Sequence, residues 1–308
     1  MSVTVVGSLN EDVLVAVDRL PGRGETVIGT SVVLAPGGKG ANQAAAAGRL
    51  GPGVHMVGRV GADPAGDRQL TALADAGVDV ERVQRTPGAP TGSATIPVER
   101  GSGENLIVVV PGANGQLRPD DVDVESVPRT RVVLLQLEVP METVVAAATA
   151  ARGTVVLTPA PPQPLPAELL GQVDVLVPNE HELAALAGTA ARERSVTELV
   201  ELARAVASCS VVVTLGARGA LIVPAGGGPP LLQAPPPVTA VDTTGAGDCF
   251  CGALGQALAG GAALGEAVRY AVTAAALSTT GPGARGALPA DDDVRELLQT
   301  APPISSAP

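Results

Sequence analysis

The sequence predicts an α/β fold: a mostly parallel sheet with helices on both faces, and a small second sheet beside it. Three observations predict it. Short runs of Val and Leu alternate with Ala-rich helical stretches along most of the 308 residues. The runs are continuous rather than alternating, as in strands covered on both faces. Two stretches, 13–35 and 93–110, have strand composition but no helical segment between their halves.

The buried strands are expected at Val3–Val6, Val132–Leu135, Thr154–Leu157, Val173–Val177 and Val211–Leu215, and helices at Met141–Arg152, Val196–Ser208 and Leu264–Thr279. Strand–helix alternation builds βαβ units and hence parallel pairing. Within 13–35, Val13–Val17 and Thr26–Leu34 are separated by Pro21, Gly22 and Gly24. Within 93–110, Ala94–Val98 and Leu106–Val110 flank the turn Gly101–Ser102–Gly103. Both read as hairpins. They form a small lid over the open end of the main sheet, with an apolar face suited to a dimer contact; an antiparallel extension of the main sheet is the other arrangement. Residues 1–300 are expected to form one domain, with the lid from about 11–36 and 90–112. The Pro/Gly-rich stretch 224–237 is expected as a surface loop, and 301–308 as a frayed tail.

Hydrophobic residues make up 45% of the chain, with one Phe (Phe250), one Tyr (Tyr270) and no Trp, so the core packs aliphatic side chains. A net charge of −11 argues against nucleic acid as a partner, because an acidic surface repels phosphate backbones. A nucleotide site on such a protein needs local donors. The three cysteines, Cys209, Cys249 and Cys251, fit no disulfide framework or zinc ribbon, and a reducing cytoplasm suits them. No apolar run reaches the roughly 18 residues of a membrane span. The N-terminal MSVTVVGSLNED has no basic start before a long apolar run, so no signal peptide is expected.

The chemistry concentrates in six motifs. In Ala240-Val-Asp-Thr-Thr-Gly-Ala-Gly-Asp248, apolar residues recur at helical spacing after Asp248, so a helix begins near Gly247. Gly245, Ala246 and Gly247 then offer backbone N–H groups at a helix N-terminus, where anions bind. A carboxylate at the mouth of that hole, Asp248, can take a hydroxyl proton; as a plain N-cap it would serve only the helix. Pro36-Gly-Gly-Lys-Gly-Ala-Asn42 lets the backbone approach a ligand at Gly37 and Gly38, with Lys39 and Asn42 able to bond hydroxyls; it fails the nucleotide P-loop pattern, since position 33 is Val and position 40 is Gly. Gly7-Ser-Leu-Asn-Glu-Asp12 leaves the first strand with Asn10 and Asp12, either as sugar contacts or as an Asx turn. In Pro178-Asn-Glu-His-Glu182, Asn179 and Glu182 share one helical face, suited to a hydrated Mg²⁺ or to a helix cap. Thr214 and Gly216 in Val213-Thr-Leu-Gly-Ala-Arg-Gly219 border a nucleotide or form a turn, and Glu138 ends an apolar strand facing the ligand crevice. Gly281-Pro-Gly-Ala-Arg-Gly286 matches G-x-G-x-x-G but follows a helix and is rejected as a dinucleotide fingerprint.

Taken in order, GSLNED, PGGKGANQ, PGAN at 111–114, LLQLE, PNEHE, VVTLGARG and AVDTTGAGD resemble the ribokinase (PfkB-type) family of carbohydrate kinases over about residues 3–289. The resemblance implies a three-layer α/β/α domain with a β lid, often shared across a homodimer, and ATP-dependent phosphorylation of D-ribose at its 5-hydroxyl. It implies sugar contacts from Asn10, Asp12, Gly38, Lys39, Asn42 and Glu138, with Asp248 as base and the 245–247 N–H groups as anion hole. Nucleotide contacts fall on Asn179, Thr214, Gly216, Gly219 and Gly247, with Glu182 organising Mg²⁺. A monovalent cation, usually potassium, is implied beside the hole, with Asp242, Thr244, Ser278, Gly281 and Gly283 as its ligands. Two positions depart from the pattern: Ala287 replaces a cation-ligand Ser, and Val272 stands where a His often flanks adenine.

Related kinases of deoxyribose, fructose or a nucleoside would share most of these motifs, but the near absence of aromatic residues disfavours a nucleobase platform. A non-catalytic regulator on the same scaffold could lose Gly245, Gly247 or Asp248; all three are present. Cys249 and Cys251 read as core packing, with oxidation sensitivity of the adjoining site as the alternative.

Overall fold

The computed structural model describes residues 2–122 and 127–307. The N-terminal half comprises β1 (Val3–Val6), β2 (Asn10–Val17), β3 (Gly29–Gly37), α1 (Lys39–Leu50), β4 (Val54–Gly61), α2 (Pro64–Asp75), β5 (Val78–Asp79), β6 (Val83–Thr86), β7 (Gly92–Glu99) and β8 (Val108–Val110). After three 3₁₀ turns come β9 (Val132–Leu135), α3 (Met141–Ala150), β10 (Thr154–Leu157), α4 (Ala167–Leu170), β11 (Val175–Leu176), α5 (Glu180–Leu186) and α6 (Val196–Val206). The chain ends with β12 (Ser210–Thr214), β13 (Ala220–Val223), β14 (Leu231–Gln233), α7 (Ala246–Ala259), α8 (Leu264–Ser278), α9 (Asp291–Leu298) and β15 (Ser305–Ser306).

The large sheet has the order β15-β14-β13-β12-β11-β10-β9-β1-β4-β5, with β6 pairing a second stretch of β4. From β12 to β5 its pairings are parallel; β13, β14 and β15 join antiparallel. Successive residues of one strand serve opposite faces. Val132 and Leu134 pack with α1, α7 and α8, while Val133 and Leu135 pack with α3 and α6. The continuous apolar runs are thus explained by helices on both sides.

The chain fills the sheet outward from β1 through β4, then crosses back to β9 on the other side of β1. Ligands of open α/β sheets bind outside the carboxyl ends of strands at such a switch point. Here it puts the segment after β1 beside the segment after β9.

Two hairpins, β2–β3 and β7–β8, form the expected separate sheet, in the order β3-β2-β7-β8. They join through a parallel pairing of β2 with β7, from Asn10↔Gly92 to Val17↔Glu99. The antiparallel extension of the main sheet does not occur.

The expected 173–177 strand is observed as Val175–Leu176, flanked by the Asp174 and Val177 N–H groups donating to Val155 O at 3.0 Å and Leu157 O at 2.8 Å. The surface loop at 224–237 contains β14. The expected frayed tail is corrected too: Leu231 and Leu232 offer an unpaired edge, and Ser306 and Ser305 pair with them. Met1 and Pro308, at the ends of the expected domain and tail, lie outside the described residues.

Candidate active site

Steric requirements build the Gly37–Lys39 side first. A side chain at Gly37 would coincide with the Asp12 carboxylate. Gly38 has φ +87°, and its Cβ would lie 2.7 Å from Asn10 N. Glycine is the residue that takes this backbone without strain. The pair lets β3 turn into α1 directly over the end of β1, carrying Lys39 and Asn42 in.

The polar groups then lock together. Asn10 is buried, and its Oδ1 accepts from Asn114 Nδ2 at 2.7 Å; Asn114 also pins the Leu9 N–H and carbonyl. Glu138, just past β9, accepts from Ser8 Oγ at 2.5 Å and from the Lys39 N–H at 3.1 Å. Asn42 Nδ2 donates to Asp248 Oδ2 at 3.0 Å. Gln43 Nε2 lies 3.4 Å from Asp248 Oδ1, and its Oε1 accepts from Gln136 Nε2 at 2.6 Å. Asp248 is therefore held by the helix that follows the GGKG turn, 206 residues earlier in sequence.

Charge follows geometry. Burial raises the pKa of Asp248, against the lowering effects of Lys39 and Asn42. Asp12 is pushed up to about 6 by burial and by the Glu138 charge. Lys39 is raised: burial opposes its charge, but Asp248, Glu138 and Glu182 together outweigh it. Four acidic side chains thus share one ammonium and the Arg285 guanidinium, whose own pKa burial lowers to about 10. Such a set has no surplus positive charge for an anionic sugar and suits a neutral polyol, whose hydroxyls can donate to carboxylates.

The anion-binding turn is partly as expected. Gly245 caps α7 with φ +73°, where a Cβ would sit 2.7 Å from Ala284 Cβ. Gly247 is exposed, with open space where a side chain would be. The Ala246 N–H, however, donates to Thr243 O at 3.2 Å, closing the turn instead of pointing free. The hole expected from three donors keeps Gly245 and Gly247 for a ligand.

Farther along the sheet, Asn179 and Glu182 form a reciprocal capping box at the start of α5, each bond 2.8 Å. Burial raises Glu182, while Asn179 and Lys39 lower it, so the cap opens toward Lys39 and Asp248. Thr214 pairs with Asn179 in an isolated bridge. Gly216 opens the turn after β12. At Gly219 a side chain would collide with the Gln233 carbonyl, so the turn itself requires this glycine. Val272, expected near adenine, is only 4% exposed and packs into the core under α8, a correction to the expectation.

Asp242 Oδ1 accepts from the Thr244 N–H at 2.9 Å and Oδ2 from the Gly283 N–H at 2.8 Å. Burial raises this carboxyl, but the hydrogen bonds from Thr244 and Gly283 hold it below the usual range. The 281–287 segment is thereby tied to the anion hole. Ser278 is buried and donates to Ala275 O, and Ala287 packs against Gly281. Among the described residues no group of three or more His, Cys, Asp or Glu is arranged to hold a metal ion.

Sequence reasoning passed over Ser8, Gln43, Asn114 and Gln136 as site residues, although each lies inside a motif it quoted. The signal was available for Gln136: an amide in an apolar strand needs a partner. Arg285 sat in a motif rejected on other grounds. Cys249 and Cys251 are buried with thiols pushed up to about 12 by burial, so they pack the core and the oxidation reading is dropped.

Comparison with known proteins agrees with this geometry. A family model described as pfkB family carbohydrate kinase matches residues 1–291. The chain is 39% identical to ribokinase of Bacillus subtilis (strain 168), covering 96% of this chain and 99% of that one. It is 33% identical to deoxyribokinase of Salmonella typhi, covering 97% and 99%. The solved structure of Arabidopsis thaliana ribokinase complexed with ribose and ATP superposes with TM-score 0.88 at 35% identity, covering 97% of this chain and 98% of that one. A sheet with this switch point, a separate four-stranded lid, a half-buried carboxylate at a helix N-terminus and a family match over almost the whole length lead to one assignment: the chain belongs to the pfkB family of carbohydrate kinases.

Proposed function

We propose that the protein transfers the γ-phosphoryl group of ATP to the 5-hydroxyl of D-ribose, giving ribose 5-phosphate and ADP. The observation that carries the proposal is Asp248: a carboxylate half-buried at the start of α7, held by Asn42 and Gln43 beside an open helix N-terminus. Asp248 takes the proton of the attacking hydroxyl. The backbone N–H groups of Gly245 and Gly247, with Lys39, stabilise charge on the moving phosphoryl group; positioning and electrostatics do most of the work in this class of transfer. Asn10, Asp12, Gly38, Lys39, Asn42 and Glu138 hold the sugar. Asn179, Thr214, Gly216, Gly219 and Gly247 border the nucleotide.

Glu182 is the carboxylate suited to a hydrated Mg²⁺, since its capping bond uses one oxygen and oxygen ligands are what Mg²⁺ prefers. Bound with ATP, Mg²⁺ supplies charge neutralisation on the phosphates. Asp242 and Thr244, with the carbonyls of Ser278, Gly281 and Gly283, fit a monovalent cation, potassium, whose role is to hold the 281–287 segment against the hole. Ala287 adds no side-chain oxygen to that set.

The lid supports a homodimer. Ile28, Val32 and Val108 are 89%, 63% and 61% exposed, on or beside the two outer strands of the lid sheet, β3 and β8. Large exposed aliphatic side chains concentrated on one small sheet suit an interaction site. No helix among the described residues is long and apolar enough to cross a membrane. The free thiols and the substrate pair suit the cytoplasm.

A coupled ADP-release assay with MgATP across ribose, 2-deoxyribose, fructose and adenosine, with and without potassium, tests the function. The expected result is preference for ribose with potassium activation. Preference for 2-deoxyribose would move the substrate to the sugar named by the Salmonella relative, and no turnover on any of the four would remove the substrate assignment.

A further inference from the structure

The Gly281–Gly286 segment carries one charged side chain, and none of the roles above uses it. Arg285 does not point back to its own loop. Its Nε donates to Asn42 Oδ1 at 2.9 Å, and its Nη2 lies 3.2 Å from Gly37 O and 3.4 Å from Gln69 Oε1. Gln69 in turn donates to the carbonyls of Asn10 and Gly37. One guanidinium thus touches α1, α2 and the end of lid strand β3, all on the sugar side. Its third nitrogen, Nη1, is buried with no partner. The charges acting on Arg285 are those of Asp12 and Asp248, across the site.

A guanidinium can only donate. The end of the Asn42 amide that faces Arg285 must therefore be its carbonyl, and the NH₂ end must face Asp248. Without Arg285 the amide could turn over and set Oδ1 against the Asp248 carboxylate, acceptor against acceptor. A buried cation with an unmet donor is costly unless something completes it. An oxygen of the substrate, seated between Nη1 and the Asp12 carboxylate, would accept from the first and donate to the second, which is the chemistry of a hydroxyl group.

We propose that Arg285 is a positioning residue for phosphoryl transfer: it sets the Asn42 amide toward Asp248 and keeps Nη1 for a sugar hydroxyl held against Asp12. The proposal rests on the sugar-kinase reading above. Lysine cannot substitute, because its ammonium lacks the planar fork that reaches three partners at once.

The test is steady-state kinetics of the full-length protein with ribose and MgATP for Arg285→Met, Arg285→Lys, Asn42→Ala and the double variant Asn42→Ala/Arg285→Met. Arg285→Met is expected to raise the ribose KM and lower kcat, each about tenfold or more, as expected when a group that orients both base and substrate is lost. The ATP KM should stay within twofold of the parent, and Arg285→Lys should not restore activity. The kcat of the double variant should be little below that of Asn42→Ala, since the effect on the base runs through that one contact, while its ribose KM should rise further, since Nη1 acts on the sugar directly. Arg285→Met kinetics within twofold of the parent, or kcat effects that multiply in the double variant, would overturn the proposal. Should Arg285→Met show no melting transition, Arg285→Lys decides alone: parental kinetics overturn the proposal, and a raised ribose KM with parental ATP KM supports it. A parent protein that turns over neither ribose, 2-deoxyribose nor fructose refutes the sugar-kinase reading itself, a result obtained before any variant is compared.

Discussion

At the scale of single residues, the site is a set of carboxylates made tolerable by a few donors. Asp12 titrates in an accessible range. Its carboxyl sits at about 6 because burial and Glu138 disfavour the charge. Below that pH it is protonated and can no longer accept from a sugar hydroxyl as a carboxylate does. We expect the ribose KM to rise as pH falls from 7 to 5, and Asp12→Asn to abolish that dependence at a uniformly higher KM. The sign for stability is opposite. A carboxyl whose folded pKa lies above its unfolded value takes up its proton on the folded side first, so this group adds stability as pH falls through about 6. A KM that rises without a falling melting temperature separates the two effects. Gly245 gives a second prediction. Gly245→Ala puts a Cβ at φ +73° against Ala284, so a loss of about 1–3 kcal/mol in urea unfolding is expected, with a large fall in kcat from displacement of 246–248.

At the scale of elements, the sequence spoke most clearly where one physical cause decided the outcome. Buried parallel strands must be apolar on both faces, and β1, β9 and β10 lie within the runs that announced them. The lid was legible because two strand-like stretches had no helix to cross over with. What was not legible depended on partners far away in sequence. The last β-strand forms at Ser305–Ser306 only because Leu231 and Leu232 leave an edge open. The Ala246 N–H is spent on Thr243, which no motif spacing reveals. Val272 sits on the core side of α8, where a single-residue family expectation could not see the packing. The motif residues Asn10, Asp12, Lys39, Asn42, Glu138 and Asp248 do converge, but the amides that hold them, Asn114, Gln43 and Gln136, needed coordinates. The lid carries its own prediction: Val32→Glu with Val108→Glu should convert a dimer to a monomer in sedimentation velocity while leaving the melting transition cooperative. A parent that sediments as a monomer at the same concentration would contradict the lid interface.

At the scale of the whole molecule, the topology explains why the chemistry gathers where it does. The chain's crossing from β4 to β9 opens a crevice beyond β1, and the lid begins in the same segment that leaves β1. In the proposed function, a protein of net charge −11 handles a polyanionic nucleotide with backbone donors and one lysine rather than with a basic surface. The proposed mechanism has phosphoryl transfer at the α7 N-terminus, with Asp248 as the base. The most direct test is kcat for ribose with saturating MgATP in the parent and in Asp248→Asn, with melting temperature and ATP binding measured alongside. The account predicts a fall of about two or more orders of magnitude in kcat with both of those intact, the range of a positioned base. A near-parental kcat in a folded, ATP-binding Asp248→Asn protein would contradict it.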